Sequence, residues 1–398
     1  MSQQRFIRCP HCGLPHEAEV ETCPVGGEPI ALETRARRRS KSPPSERSYA
    51  WAHSVHPFSG GDDPDADLEP ADLDTFVGRV VEGKYRIEKL IGRGGMGAVF
   101  RAVNTRIDKA VALKVLYRGY ARGSDAERRF LREARIAGSL GHPHIVEVFD
   151  LGHLDDGKPF QVMELLEGQS LAERIQTDGA LPEHEVLEIA DQVLSALEAA
   201  HERGVIHRDL KPENVFLTRW RGATVAKLLD FGVSKSLAEH TLSITRTGVV
   251  VGTPYYMSPE QARGQGEVDH RIDVWAMGVL LYEAVTGVLP FNAQSVEKLL
   301  TKILTRRPVA PTRFRARLTP EVEALILDAL AFEPDDRPPS AAAMRARVAA
   351  ARRAGLGRTV RDDPAPRWEE PEDATEVSDS FVSDELHAVV RGPDGGSS

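Results

Sequence analysis

The sequence predicts an α+β protein of two lobes, a small β-rich N-terminal lobe followed by a larger α-helical C-terminal lobe. Three observations carry that expectation. Between Lys84 and Leu113, apolar residues alternate with polar ones on either side of a glycine-rich turn, the period-2 pattern of strands. Further on, Val186, Ile189, Ala190, Val193, Leu194 and Leu197 recur at helical spacing. Strands first and helices afterwards is the order of segregated layers, not of repeating βαβ units.

In chain order, Tyr85 and Ile87 lead into Leu90-Ile91, then the glycine turn, then Val99-Phe100 and Val111-Ala112-Leu113, which gives three strands. Ser124 with Glu127 three residues on forms a capping box and opens a helix to about Leu140. Phe160 to Gly168 reads as a strand running into a connector. Gly204 terminates the helix that contains Val186 to Leu197.

Four zones follow from composition. Residues 1–33 hold all three cysteines and read as a degenerate zinc-ribbon-like module. Residues 34–78 form a linker with a basic first half (Arg35, Arg37, Arg38, Arg39) and an acidic second half, too poor in apolar residues to offset the entropy of ordering and therefore expected to be a disordered spacer. Residues 79–353 are the folded domain, and 354–398 an acidic tail, rich in Pro, Gly and Ser and expected to be disordered. A chain of 398 residues accommodates one large two-lobed domain with appendages. The net charge of -9 provides no basic field, which disfavours nucleic acid and anionic membrane as partners. No apolar leader occupies Met1 to Pro10 and no apolar run approaches the ~20 residues of a span, so a soluble, cytoplasmic protein is expected. With no cysteine after Cys23, no disulfide framework holds the main domain.

The motif of greatest information is His207-Arg208-Asp209-Leu210-Lys211-Pro212-Glu213-Asn214, followed by Asp230-Phe231-Gly232. It resembles the catalytic core of eukaryotic-type (Hanks-type) protein kinases, and Gly94-Gly95-Met96-Gly97 and Pro259-Glu260-Gln261-Ala262-Arg263-Gly264 resemble the bacterial members. The resemblance implies the kinase-like bilobal fold, ATP with Mg2+ (or Mn2+) as cofactor, and transfer of the γ-phosphate to a protein hydroxyl. Asp209 is then the base that orients and accepts the hydroxyl proton, Asn214 and Asp230 are the Mg2+ ligands, and Lys211 is the cation near the γ-phosphate. His207 is assigned a structural place beneath the loop. Asp-Leu-Lys-Pro-Glu-Asn, together with Thr253 of Gly252-Thr253-Pro254, looks like the serine/threonine form.

The glycine-rich turn, Ile91-Gly92-Arg93-Gly94-Gly95-Met96-Gly97-Ala98-Val99, lies between two strands and not between a strand and a helix, which separates it from a dinucleotide-binding turn. Its glycines allow the backbone to close over phosphates. Lys114 follows on the next strand after Ala112, where the kinase pattern places the lysine for the α- and β-phosphates. Glu133 falls on the inward stripe of the helix from Ser124 and is expected to pair with Lys114. By resemblance Met163 is the gatekeeper of the adenine site, while Glu164 and Leu166 supply backbone contacts. Glu260 is expected to pair with Arg337, and Asp273 to brace the catalytic loop.

Thr245 and Thr247 resemble paired phosphorylated threonines of bacterial kinases, and a phosphate there would dock on Arg208, added in trans between two copies. Cys9-Pro10-His11-Cys12-Gly13 reads as a zinc knuckle, but its mate offers Cys23 alone, so His16, His11 or a carboxylate would have to complete a Zn2+ site. A ribbon without metal and a redox-sensitive thiol group are the alternatives. A nucleotide-holding scaffold without turnover would be expected to have lost one of Lys114, Glu133, Asp209, Asn214 or Asp230, and all five are present.

Overall fold

The computed structural model describes residues 6–8, 15–17, 73, 75–93, 97–116, 124–231, 254–264, 268–293 and 295–355. Two short strands, β1 (Phe6–Arg8) and β2 (Pro15–Glu17), pair antiparallel with Ile7 opposite His16. Cys9, Cys12 and Cys23 lie outside the described residues.

The small lobe is built on β3 (Val80–Val81), β4 (Tyr85–Arg93), β5 (Gly97–Asn104), β6 (Lys109–Leu116), β7 (Val148–His153) and β8 (Pro159–Glu164), in the order β3-β4-β5-β6-β8-β7. All pairs are antiparallel, and register shifts between Ile87 and Lys89 and between Leu90 and Gly92 bend β4 as it approaches the glycine turn. One face of the sheet packs Tyr85, Ile87, Ala98, Phe100, Val111, Leu113, Phe160 and Val162 into a core. Leu73 and Phe76 join that core, Phe76 standing 5.5 Å from the ring of Phe100. The sequence had placed both in the linker, so the packed region starts before residue 79. Two apolar residues in an acidic stretch give no periodic signal, and only the uncovered sheet face shows why they are needed.

Helix α1 (Asp125–Leu140) follows, with Ser124 Oγ accepting from Glu127 N as a cap. The carboxylate of Glu127 reaches His153 Nε2 on β7 at 2.5 Å, tying the first turn of the helix to the sheet edge.

The large lobe begins with β9 (Gly168–Ser170), α2 (Leu171–Asp178) and α3 (Glu183–His201), and continues through β10 (Val215–Trp220) and β11 (Ala223–Leu228). Strands β11-β10-β9 form a second, three-stranded sheet. Helices α4 (Pro259–Arg263), α5 (Arg271–Thr286), α6 (Val296–Thr305), α7 (Pro320–Ala329) and α8 (Ala341–Gly355) complete the fold. Every residue of α5 from Ile272 to Thr286 is buried, Asp273 and Glu283 included, so this helix is enclosed on all sides and forms the axis about which the others pack. Gly278 on it allows the close approach of α7, because a Cβ there would meet the Ala329 Cβ at 2.9 Å.

Arg337, just after the 3-10 turn Pro334–Asp336, is buried and forms a fork with Glu260 at 2.6 and 2.8 Å, as the sequence led us to expect. It also donates to the carbonyls of Ala331, Phe332 and Arg271 and lies 5.0 Å from the Trp275 ring. Removing one partner of such a pair strands the other's charge, so Arg337→Ala is expected to cost about 3–5 kcal/mol in urea denaturation. The surface pair Arg347–Asp328 serves as the control, and Arg347→Ala should cost under about 1 kcal/mol.

Candidate active site

Between the lobes, β4, β5, β6, β8 and β10 turn apolar side chains toward one another: Ile91, Val99, Ala112, Val146, Met163, Leu166, Phe216 and Leu229 form one buried cluster. Five of these eight were named from the sequence. Val146, Phe216 and Leu229 were missed, although Phe216 two residues beyond Asn214 on a short apolar strand was an available signal. Ala98, predicted to line the same place, packs instead into the small-lobe core, because neighbouring residues of a strand face opposite sides and Val99 takes the cleft side. Gly92 and Arg93 pair with Val99 and Ala98 across the β4–β5 hairpin. Gly97 has a further reason to lack a side chain: a Cβ would stand 2.2 Å from the Val115 carbonyl oxygen on β6. Gly94, Gly95 and Met96 lie outside the described residues.

At the inner end of this cluster are the charged groups. Lys114, opposite Val99 on β5 and Gln161 on β8, extends its ammonium to Asp230 Oδ2 at 2.6 Å. The sequence suggested Glu133 as its partner. The bond runs to Asp230, while Glu133 sits half-buried on α1 and is itself engaged. In the loop after α3, Lys211 Nζ lies 3.1 Å from Asp209 Oδ2, and Asn214 Nδ2 donates to the Asp209 carbonyl at 2.8 Å and to its Oδ2 at 3.1 Å. The loop closes with the 3-10 turn Pro212–Asn214. With the Asn214 nitrogen turned inward as donor, its oxygen points the other way. That oxygen and the Asp230 carboxylate are the hard donors a divalent cation such as Mg2+ accepts.

The loop itself is held by Asp273 of α5. Its carboxylate accepts from His207 N at 2.8 Å, Arg208 N at 2.9 Å and His201 Nε2 at 2.8 Å. Arg208 adopts φ 66°, a conformation that costs a non-glycine residue roughly 1–2 kcal/mol and that these bonds help to offset. Burial pushes the Asp273 carboxyl up, but the hydrogen bond from His201 and the neighbouring histidines more than reverse this and hold it below the usual range. His201 was missed in the sequence because nothing local marks it.

His207 is fully buried against Phe231, with ring centroids 4.9 Å apart. Its Nδ1 accepts from Asp209 N at 3.3 Å, and its Nε2 donates to the Leu229 carbonyl at 3.2 Å. One nitrogen accepting and one donating is the neutral imidazole. Burial accordingly pushes its pKa down, against the opposing carboxylates of Asp273 and Asp209. Burial alone would also lower Lys211, but the charges of Asp209 and Glu213 outweigh it and keep the ammonium. At the connector, Glu164 Oε1 meets Lys227 Nζ at 2.6 Å and accepts from Glu147 N at 2.9 Å. Gly232, Thr245, Thr247 and Thr253 lie outside the described residues. Among the described residues no helix is long and apolar enough to cross a membrane.

Three comparisons bear on this arrangement. The family model described as protein kinase domain matches residues 85–348. Serine/threonine-protein kinase pkn3 of Myxococcus xanthus is 46% identical over 288 residues, covering 71% of this chain and 52% of its own, and PrkC of Bacillus subtilis is 38% identical over 273 residues, covering 69% and 41%. The chain thus spans about half the length of the curated relatives it matches. Among solved structures, the kinase domain of Mycobacterium tuberculosis PknI superposes with TM-score 0.54 at 30% identity, covering 69% of this chain and 98% of that one. Rad53 in complex with AMP-PNP superposes with TM-score 0.55 at 27% identity, covering 66% and 64%.

Burial also depresses His142 and His144, in each case as the largest cause. In the unfolded chain these rings and His207 take up protons below about pH 6.5, whereas in the folded state they do so only at lower pH. The unfolded state therefore binds more protons there, and stability must rise with pH. Urea denaturation between pH 5 and 8 is expected to show stability rising and then levelling above about pH 7, with a shallower rise in the His142→Gln, His144→Gln variant. A flat profile in the parent would contradict the burial of these rings.

Proposed function

The chain belongs to the protein kinase family, and from that premise we propose that it is a serine/threonine protein kinase, transferring the γ-phosphate of ATP to serine or threonine hydroxyls of proteins. The observation that supports this best is the grouping of Asp209, Lys211 and Asn214 on one loop held by Asp273, opposite Lys114 and Asp230. Asp209 orients the acceptor hydroxyl and takes its proton, and Lys211 places positive charge beside it. Lys114 holds the α- and β-phosphates, and the cluster from Ile91 to Leu229 encloses the adenine, with Met163 as gatekeeper and Glu164 and Leu166 offering backbone contacts. The Gly92–Gly97 turn closes over the phosphates, and Glu133 joins Lys114 when α1 moves inward. Asn214 and Asp230 would hold Mg2+, which neutralises charge on the phosphate oxygens. Thr253 would act with Asp209 and Lys211 in selecting a serine or threonine hydroxyl. Work on ATP and protein hydroxyls suits a cytoplasmic signalling enzyme.

Regulation belongs to the same reading. Phosphate on Thr245 or Thr247, added in trans by a second copy, would dock the segment that precedes Pro254 against Arg208.

Incubating the protein with Mg-ATP beside an Asp209→Asn variant tests the activity. The parent is expected to incorporate phosphate at Thr245 and Thr247, and the variant to incorporate at least about a hundredfold less. Equal incorporation would undo the assignment of Asp209, and bare threonines in a fully active parent would reject the switch.

The N-terminal strands support a smaller proposal. The β1–β2 pairing brings the chain on either side of Cys9 and Cys12 together, as a knuckle requires, and places the His16 backbone opposite Ile7. With Cys23 and His16 these thiolates would make the four donors of a structural Zn2+ site. Zinc analysis of the full chain under reducing conditions is expected to give about one metal per chain, falling in Cys12→Ser; stoichiometry near zero would end the idea.

A further inference from the structure

The β10–β11 hairpin carries a feature that phosphoryl transfer does not use. Six residue pairs run from Val215–Leu228 to Trp220–Ala223, and the two residues between, Arg221 (φ 50°) and Gly222 (φ 86°), make the tight mirror-image turn suited to a hairpin. Arg219, Trp220, Arg221 and Gly222 are all exposed, Trp220 by 67%, and the Arg221 guanidinium lies 5.9 Å from the indole ring. A tryptophan held open on a rigid turn between two arginines is a recognition surface for a segment that combines carboxylates with flat apolar groups.

Its place in the fold narrows the occupant. Phe216, Thr218 and Trp220 share one face of β10; Phe216 belongs to the cleft cluster and Thr218 Oγ1 donates to the Glu167 carbonyl at 2.8 Å. At ~3.4 Å per residue, Trp220 stands about 14 Å outward from Phe216, at the foot of the connector between the lobes. Strand β11 of the hairpin rests on α3, where Gln192 accepts from Ala226 N at 2.7 Å and donates to the carbonyl of Thr224, opposite Arg219, at 3.2 Å. The adjacent Asp191 is held from α8 by Arg345 at 2.9 Å and Arg352 at 3.8 Å, and α8 ends three residues later at Gly355. The chain beyond Gly355 therefore departs from the same shoulder of α3 that supports the hairpin.

That departing chain has complementary chemistry. Residues 362–373 read Asp-Asp-Pro-Ala-Pro-Arg-Trp-Glu-Glu-Pro-Glu-Asp, six carboxylates against one arginine, with three prolines and Trp368 between them. Residues 356–361 span about 20 Å when extended, enough to bring the first carboxylates to the tip. The other acidic stretch, before Leu73, is anchored in the small-lobe core and lacks both arginine and tryptophan between Gly60 and Leu73.

We propose that the Arg219–Trp220–Arg221 hairpin tip is a docking site for the chain's own C-terminal segment 362–373, the arginines meeting its carboxylates and Trp220 packing on its prolines and Trp368. The contact is separate from the catalytic residues and does not depend on them.

Replacing Trp220 in the full chain with photoreactive p-benzoylphenylalanine tests this. Irradiation is expected to give intramolecular cross-links to peptides covering 362–373, with yield falling about tenfold when Arg219→Glu and Arg221→Glu are added and falling again in 1 M salt. All altered positions are exposed, so folding is preserved, and hydrogen exchange at 362–373 should be slowed in the parent and not in the double glutamate variant. Cross-links to residues 62–74, to a second copy, or to no protein segment would each overturn the proposal, as would yields indifferent to the charge reversal.

Discussion

The buried carboxylate of Asp273 is the constraint on which the site depends. Left alone in the interior it would cost several kcal/mol, and the large lobe places three donors around it: the backbone N–H groups of His207 and Arg208 and the His201 ring. Those bonds fix Arg208 in a backbone conformation that only a glycine adopts freely. Fixing Arg208 in turn fixes the direction in which the next residue, Asp209, leaves the loop. His207 carries the constraint further, because its ring spans the Asp209 amide and the Leu229 carbonyl, one residue before Asp230. A single charge on a helix buried all round thus sets the relative positions of two carboxylates that belong to different segments of chain.

Polar and apolar groups divide the cleft by the kind of element that bears them. The apolar cluster comes largely from strands, whose alternation directs Val99 into the cleft and Ala98 into the core behind it. The charged groups near its inner end come mostly from loops, where backbone geometry is free to be unusual. Lys114 is the exception, a charge on a strand, and its register opposite Val99 and Gln161 is what carries it to Asp230.

Much of this was legible in the sequence wherever the signal was local. Asp209, Lys211 and Asn214 lie within six residues, and their spacing on a short loop is enough to bring them together. Strand and helix order followed from periodicity, and Arg337 with Glu260 from the motifs that carry them. What escaped was set by contacts distant in sequence. Nothing near Leu73 or Phe76 shows that the sheet face over Phe100 needs cover, and His201 is an ordinary helix residue until α5 brings Asp273 beneath it. Ser124 and Glu127 looked like a self-contained cap, yet the carboxylate is claimed by His153 on the sheet edge. Lys114 and Glu133 are a reasonable pair by residue type, but only the packing of the lobes decides that Asp230 is nearer.

The two lobes are joined by bonds of unequal kind, and this governs which of them can change. Along the connector side, Val146 N donates to the Leu228 carbonyl and Leu228 N to the His144 carbonyl, while Lys227 pairs with Glu164. Backbone bonds of this sort have no alternative partner, since moving them would leave buried amides unsatisfied. Inside the cleft, the Lys114–Asp230 pair is a contact between side chains, with Asp230 partly exposed. An ammonium there can exchange one carboxylate for another, or for phosphate, at little net cost because each partner replaces the charge the last one supplied. Relative motion of the lobes is therefore expected to pivot about residues 144–147 and 164, with the position of α1 and its Glu133 following from the partner that Lys114 holds.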